Sequence, residues 1–244
     1  SYVNRNEGLT MFLLNPFVNV ASTGDPNLTL LLMHFEGANG STTFTDSSPV
    51  PYAINNTDAQ ISSFTLKSGF GSSGFFNNSG GSPYRKIESV DVAPDLRNTD
   101  FTIECFIHPT ALNFFSCEIF GAQRVNSDLC YACFINQTTN KLMTTIFGTE
   151  ISHQTTISLD TTYHIALVRH NNNFILYLNG VASDSSPQIL QSIIDGYSPT
   201  SPLRIGVARA GVASHFTGYI DEFRIRKEAV YTGNFTPPTT PFSY

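Results

Sequence analysis

FTIECFIHP (Phe101–Pro109) alternates strictly: Phe101, Ile103, Cys105 and Ile107 fall on one side, and Thr102, Glu104, Phe106 and His108 on the other. A period of two marks a β-strand with one face against a core. The same kind of signal recurs along the chain. LTLLLMHFE (Leu28–Glu36) is a continuous apolar run, short enough for a strand buried on both faces. CEIFGAQ, LCYACFI and KLMTTIFG come next, between residues 117 and 148. TYHIALVRH, the turn Asn171–Asn173 and FILYLNGV then read as a hairpin, and Asn179–Gly180 reads as a second tight turn because both residues tolerate positive φ. PLRIG (Pro202–Gly206) introduces a last long strand, GYIDEFRIR (Gly218–Arg226). No amphipathic helix of ten or more residues is expected; RKEAVY (Arg226–Tyr231) offers one turn at most. Short strands at regular spacing with Gly, Pro and Asn between them predict an all-β, two-sheet antiparallel sandwich.

Composition agrees. The chain has 244 residues, of which 41% are hydrophobic, including 20 Phe and 10 Tyr, and only 13% are charged. A chain of this length buries about three-quarters of its extended surface, so its core needs no staples. The net charge is −6. With no cluster of Lys or Arg to neutralise a phosphate backbone, nucleic acid is not an expected partner. RIRK (Arg224–Lys227) reads as a solvated strand face. No stretch is long enough to span a membrane as a helix. LTMFLLNPFVNVAS (Leu9–Ser22) is broken by Asn15 and Pro16, so it reads as part of an extended arm over residues 1–27 rather than a signal peptide. The single domain then covers residues 28–244. The four cysteines (Cys105, Cys117, Cys130 and Cys133) read as small buried apolar residues without disulfides. The CYAC pair lacks the second pair of ligands that zinc needs.

GFGSSG (Gly69–Gly74) has the spacing of a dinucleotide fingerprint, but it runs into FFNNSGGSP, which opens no helix. No nucleotide is expected. The glycines instead carry a loop across the sandwich edge into a short strand at 74–77.

Seven phrases in order resemble the concanavalin A-like, laminin G-type jelly-roll domains. They are LLLMHFEGANGSTTFTDSS, SGFGSSGFF, DFTIECFIHP, TTYHIALVRH, LYLNGV, PLRIG and GYIDEFRIRKEAVYTGNFTPPTTPF. The closing VYTGNFTPPTTPF is most similar to the branch found in bacteriophage virion proteins. The resemblance covers Leu28–Tyr244. It implies a jelly roll, and a calcium ion at the sandwich edge held through Glu36, Asp46 and Asp221, which match the family's acidic phrases. Read without the resemblance, Asp46 starts an Asx turn and Asp221 bonds a nearby amide.

The resemblance also implies glycan binding, with Tyr84, Tyr131 and Tyr197 as candidate platforms; there is no Trp. Glycoside hydrolysis needs two carboxylates facing one bond. Glu88 with Asp91, and Asp221 with Glu222, alternate to opposite strand faces. His164 and His170 share a strand face with no nucleophile beside them. The expectation is a non-enzymatic virion protein, either a fibre or appendage subunit or a head decoration. It would be made in the host cytoplasm without a signal peptide, docked by its arm to other virion proteins in a multicopy or homo-oligomeric assembly, and would display a lectin-like domain towards host-surface glycans. A polysaccharide-cleaving enzyme and a cellular extracellular lectin are the alternatives.

Overall fold

The computed structural model describes residues 25–77, 85–112, 116–124, 128–208 and 214–244. The arm as far as residue 24, and Tyr84, lie outside the described residues. Two antiparallel sheets form a jelly-roll sandwich. The strands are β1 (Thr29–Met33), β2 (Ile54–Thr57), β3 (Gln60–Ser62), β4 (Ser73–Phe76), β5 (Lys86–Val92), β6 (Phe101–Ala111), β7 (Ser116–Gln123) and β8 (Leu129–Asn136). They continue as β9 (Lys141–Ile146), β10 (Thr149–Thr156), β11 (Tyr163–His170), β12 (Asn173–Leu178), β13 (Val181–Ala182), β14 (Pro202–Ile205) and β15 (Thr217–Arg226). One sheet runs β13-β12-β11-β6-β15-β4-β3, with β1 also paired to β15; the other runs β10-β9-β8-β7-β14-β5-β2. Strand β15 pairs with β4 through Gly218–Ile220 and with β1 through Phe223–Arg226, so β1 and β4 share one of its edges. Among the described residues the α-helix is a single turn, α1 (Gln191–Ile194), and Arg226–Tyr231 forms no helix.

The alternation in β6 is realised. Phe101, Ile103, Cys105 and Ile107 all join the core between the sheets. Both predicted tight turns form, with positive φ at Asn171, Asn172, Asn179 and Gly180. The four cysteines are buried and free, and burial pushes the Cys130 thiol up to about 12. The GFGSSG glycines do shape a loop: Gly69 and Gly71 have positive φ. A Cβ on Gly74 would sit 2.6 Å from the Phe35 ring, so only glycine lets β4 pass there. The strand they lead into is Ser73–Phe76, one residue earlier than expected.

Strand β15 departs from simple alternation. Asp221 pairs with Phe106 and Arg224 with Glu104, so one extra residue is inserted, with Glu222 at φ 51. The bulge lets Ile220 and Phe223, three apart, both face the core. Beyond it, Arg224 and Arg226 point away from the core, yet they are only 8% and 2% exposed. RIRK is therefore not a solvated face, because the chain after β15 folds back over it.

That return covers the outer face of the larger sheet. Phe235 N–H donates to Gly180 O, and the Phe235 ring stacks on Tyr231 at 3.5 Å. Phe242 packs with Leu32, Leu66, Phe70 and Phe106. At the centre lies Glu104, fully buried. Its Oε1 accepts from Arg224 Nε (3.0 Å) and Nη2 (2.6 Å), and its Oε2 accepts from Tyr231 Oη (2.7 Å). His164 Nε2 lies 3.1 Å from the same Oε2. Burial alone would raise the Glu104 carboxyl, but Arg224 and His164 outweigh it and hold it at about 2, against an ordinary 4.5. The unfolded chain therefore takes up a proton at higher pH than the fold does. This contribution is complete above pH 4.5 and is lost as the pH falls towards 2. Urea denaturation across this range should show stability draining from the wild type. Glu104→Gln should flatten that dependence and cost about 3–5 kcal/mol at neutral pH, since Arg224 is left buried without its counter-charge.

Candidate functional site

The return segment leaves one end of the larger sheet open. On β6 the outward residues Thr102, Glu104 and Phe106 are buried, while the next, His108, is half-exposed. Register carries a row across the sheet from there: His108 pairs with Tyr219, Tyr219 with Phe75, and Phe75 with Gln60. From β6 to β3 this row spans about 14 Å at the usual strand spacing. Phe64 lies over it. Its ring stacks on Tyr219 with centroids 4.3 Å apart, and Phe75 stacks on Tyr219 at 4.9 Å. The Phe64 and His108 rings are 4.8 Å apart, and the Arg85 guanidinium sits 5.9 Å from the Phe75 ring. Phe64 is 38% exposed, so part of its ring faces solvent above the row.

Polar groups border the rings. His108 Nδ1 and Thr162 Oγ1 are 3.0 Å apart. Burial lowers the His108 pKa, with Asp160 opposing, so the imidazole is neutral at pH 7 and offers Nε2 as donor or acceptor. Tyr219, beside it, and Gln60, at the far end of the row, are half-exposed residues. Rigid apolar ring surface next to uncommitted hydroxyl, amide and imidazole groups can hold a ligand with an apolar face and polar edges.

The sequence nominated other aromatics. Tyr131 is buried in the core, its hydroxyl donating to Pro94 O at 3.3 Å, so it is no platform. Tyr197 is half-buried, with the Arg124 guanidinium 4.6 Å from its ring. The residues of the row were missed because their alignment depends on cross-strand register. The one local signal was the outward parity of His108 in β6.

The three expected metal ligands separate. Asp46 Oδ1 accepts from the N–H groups of Leu32 and Ser48, and Oδ2 accepts from Ser48 Oγ and Tyr52 N–H. That carboxylate is fully used in pinning its own loop to β1. Asp221 and Glu36 lie close enough for the charge of Glu36 to act on Asp221. Asp221 Oδ1 accepts the Glu222 N–H, while Oδ2 is buried with no partner among the described residues. Burial first, and then the neighbouring Glu222, hold this carboxyl up at about 9. Glu222 is itself engaged by His34 Nδ1 (2.7 Å) and the Phe242 N–H (2.6 Å). Glu36 Oε2 accepts from Ser72 Oγ at 2.9 Å. Among the described residues no three His, Cys, Asp or Glu side chains are grouped to hold a metal by themselves. The full donor set Glu36, Asp46 and Asp221 does not fit one ion. Glu36 with Asp221 retains one feature suited to a cation, the orphaned buried Oδ2.

Three of the four carboxylates weighed for hydrolysis are buried or ion-paired. Asp221 and Glu222 are 0% exposed, and Glu88 is ion-paired with Lys86 and Arg204. His164 is locked to Glu104, and His170 lies 3.4 Å from Asp100.

A laminin G-type family model, described as the concanavalin A-like lectin/glucanases superfamily, matches residues 79–231, more than half of the chain. The chain belongs to this superfamily. No curated protein matches it by sequence. Among solved structures, the concanavalin A-like sandwich is similar to the binding domain of Paraclostridial Mosquitocidal Protein 1. That match has 17% identity over 84% of this chain and 50% of the other, with a TM-score of 0.59. A Trypanosoma rangeli sialidase in complex with sialic acid matches at 13% identity over 83% of this chain and 31% of the other, TM-score 0.62. Domain 4 of AbnA, a GH43 extracellular arabinanase from Geobacillus stearothermophilus in complex with arabinotriose, matches at 18% over 76% and 87%, TM-score 0.53. The chain spans about half the length of the first of these. At such identities the likeness is one of fold, and concanavalin A-like sandwiches host many functions.

Proposed function

We propose that this chain is a non-enzymatic glycan-binding display domain of a bacteriophage particle, and that the Phe75–Tyr219–Phe64 stack with His108 is its ligand surface. The observation that carries the ligand reading is the exposed aromatic stack beside free polar groups. The superfamily, and neighbours solved with sialic acid and arabinotriose, support it. The burial of Asp221 and Glu222 and the ion pairing of Glu88 support a binding role over hydrolysis. The virion reading rests on the resemblance of the closing phrase, Val230–Phe242. In it, the arm docks to other virion proteins and many copies present the sandwich outward, as fibre, appendage or head decoration.

In the same reading a calcium ion is held by Glu36 and Asp221 alone among the three expected ligands, with carbonyls and water completing its shell. Its chemistry there is electrostatic: it would neutralise the paired carboxylates at the edge. Asp46 serves as a loop pin.

Three measurements check this. Tyr219→Ala and Phe75→Ala, at half-exposed positions, should keep the fold while abolishing binding on a glycan array; undiminished binding would contradict the assignment. EDTA should lower the melting temperature and calcium restore it, an effect lost in Asp221→Asn; an unchanged temperature removes calcium from the account. Gold-labelled antibody to the Leu28–Tyr244 domain should decorate intact particles of the phage that carries it, on tails for a fibre role or on heads for decoration. Unlabelled particles would contradict a virion role.

A further inference from the structure

A groove of about 690 Å³ opens at the end of the sandwich next to the aromatic row. It lies among the end of β6, the β8–β9 turn and the loop from β10 to β11. Thr110, Gln137, Asn140, Thr156 and Ser158 supply its polar lining. Among the described residues that line it, none is charged. Gln137 Nε2 is committed to Leu112 O at 2.9 Å. The side chains of Asn140, Thr156 and Ser158 are exposed, and Thr110 is half-exposed.

The groove and the row are continuous in two ways. Thr110 follows His108 by two residues, at the irregular end of β6 where Gly218 pairs with Pro109 and Thr217 with Ala111. The loop that supplies Ser158 also supplies Thr162, whose hydroxyl meets His108 at 3.0 Å. That loop is tied down at both points of contact. Asp160 N–H donates to Pro109 O (2.9 Å), and Ser158 N–H donates to the Tyr163 hydroxyl (2.9 Å). A ligand leaving the rings across His108 therefore meets hydroxyls on a fixed loop, with the Asn140 amide on the β8–β9 turn lining the same groove.

We infer that the groove and the aromatic row form one extended site, and that its ligand is an uncharged oligosaccharide long enough to reach from Tyr219 to Asn140 and Ser158. This rests on the reading of the row as a glycan surface. A neutral chain fits because the lining offers hydrogen-bonding groups of no net charge. An acidic sugar would find no cation among the described residues of the groove; the cation on the row, Arg85, sits by the Phe75 ring on the far side of Tyr219 from His108. It would also meet Asp160, whose negative charge reaches His108.

The test is calorimetric titration of the full chain with neutral gluco-, xylo- and arabino-oligosaccharides, from disaccharide to hexasaccharide, and with sialyllactose as the acidic counterpart. For the series that binds, affinity should rise with length. Asn140→Gly and Ser158→Ala should each weaken the hexasaccharide about two- to tenfold, the worth of one hydrogen bond, and leave the disaccharide unchanged. Glycine suits Asn140 because φ there is already 51. Tyr219→Ala should weaken every length. Affinity independent of length, or a hexasaccharide indifferent to both groove variants, overturns the extended site while Tyr219→Ala still reports on the row. Binding that survives Tyr219→Ala overturns the row itself. Preference for sialyllactose, or no binding by any series, overturns the uncharged-ligand inference.

Discussion

The buried carboxylate of Glu104 is the constraint on which the exposed surface depends. It sits mid-strand on the face of the larger sheet that alternation turns away from the core. There it gathers the Arg224 guanidinium, the Tyr231 hydroxyl and the His164 imidazole. A charge in that position is costly unless every acceptor is used, so the residues that use them are held in place. Tyr231 and Arg224 belong to the last strand and the segment after it. Satisfying Glu104 therefore draws the C-terminal return onto the sheet.

The return then decides what remains open. Tyr231, Phe235 and Phe242 cover the sheet over Glu104, Phe106, His164 and Tyr177. Asn234 Oδ1 accepts the Ala182 N–H, and Arg224 Nη1 donates to Ser243 O, which fixes the segment at both ends. The cover stops after Phe106, before the end of β6. His108, Tyr219 and Phe75 are left in register at the uncovered edge, with Phe64 stacked above them. The phrase VYTGNFTPPTTPF thus has a structural role of its own: it shuts most of a face that would otherwise be exposed.

Much of this was legible in the sequence, and the reasons differ by element. Strand alternation in β6 and the Asn-rich turns identified the sandwich because both are local rules. The GFGSSG stretch was separated from a nucleotide loop by its neighbour FFNNSGGSP, whose Gly, Ser and Pro cannot open a helix. The Arg224–Lys227 stretch was misread as solvated because nothing local reveals that a distant segment returns to cover it. The bulge at Asp221–Glu222 could not be read from a period-two pattern, because it depends on how β15 pairs with β6. The aromatic row was missed for a related reason. A row across four strands depends on register, and register is settled by bulges and long-range pairing rather than by any one stretch. Asp46 fits the simpler of its two readings, a loop pin with all its acceptor positions in use.

The most direct test is a crystal structure of the full chain with the longest neutral oligosaccharide that binds. The account predicts sugar density along Phe75, Tyr219 and Phe64, running past His108 towards Asn140, with residues 230–242 still packed over Glu104. Density on the outer face of the seven-stranded sheet, or a ligand seated where the C-terminal return has been displaced, would contradict it.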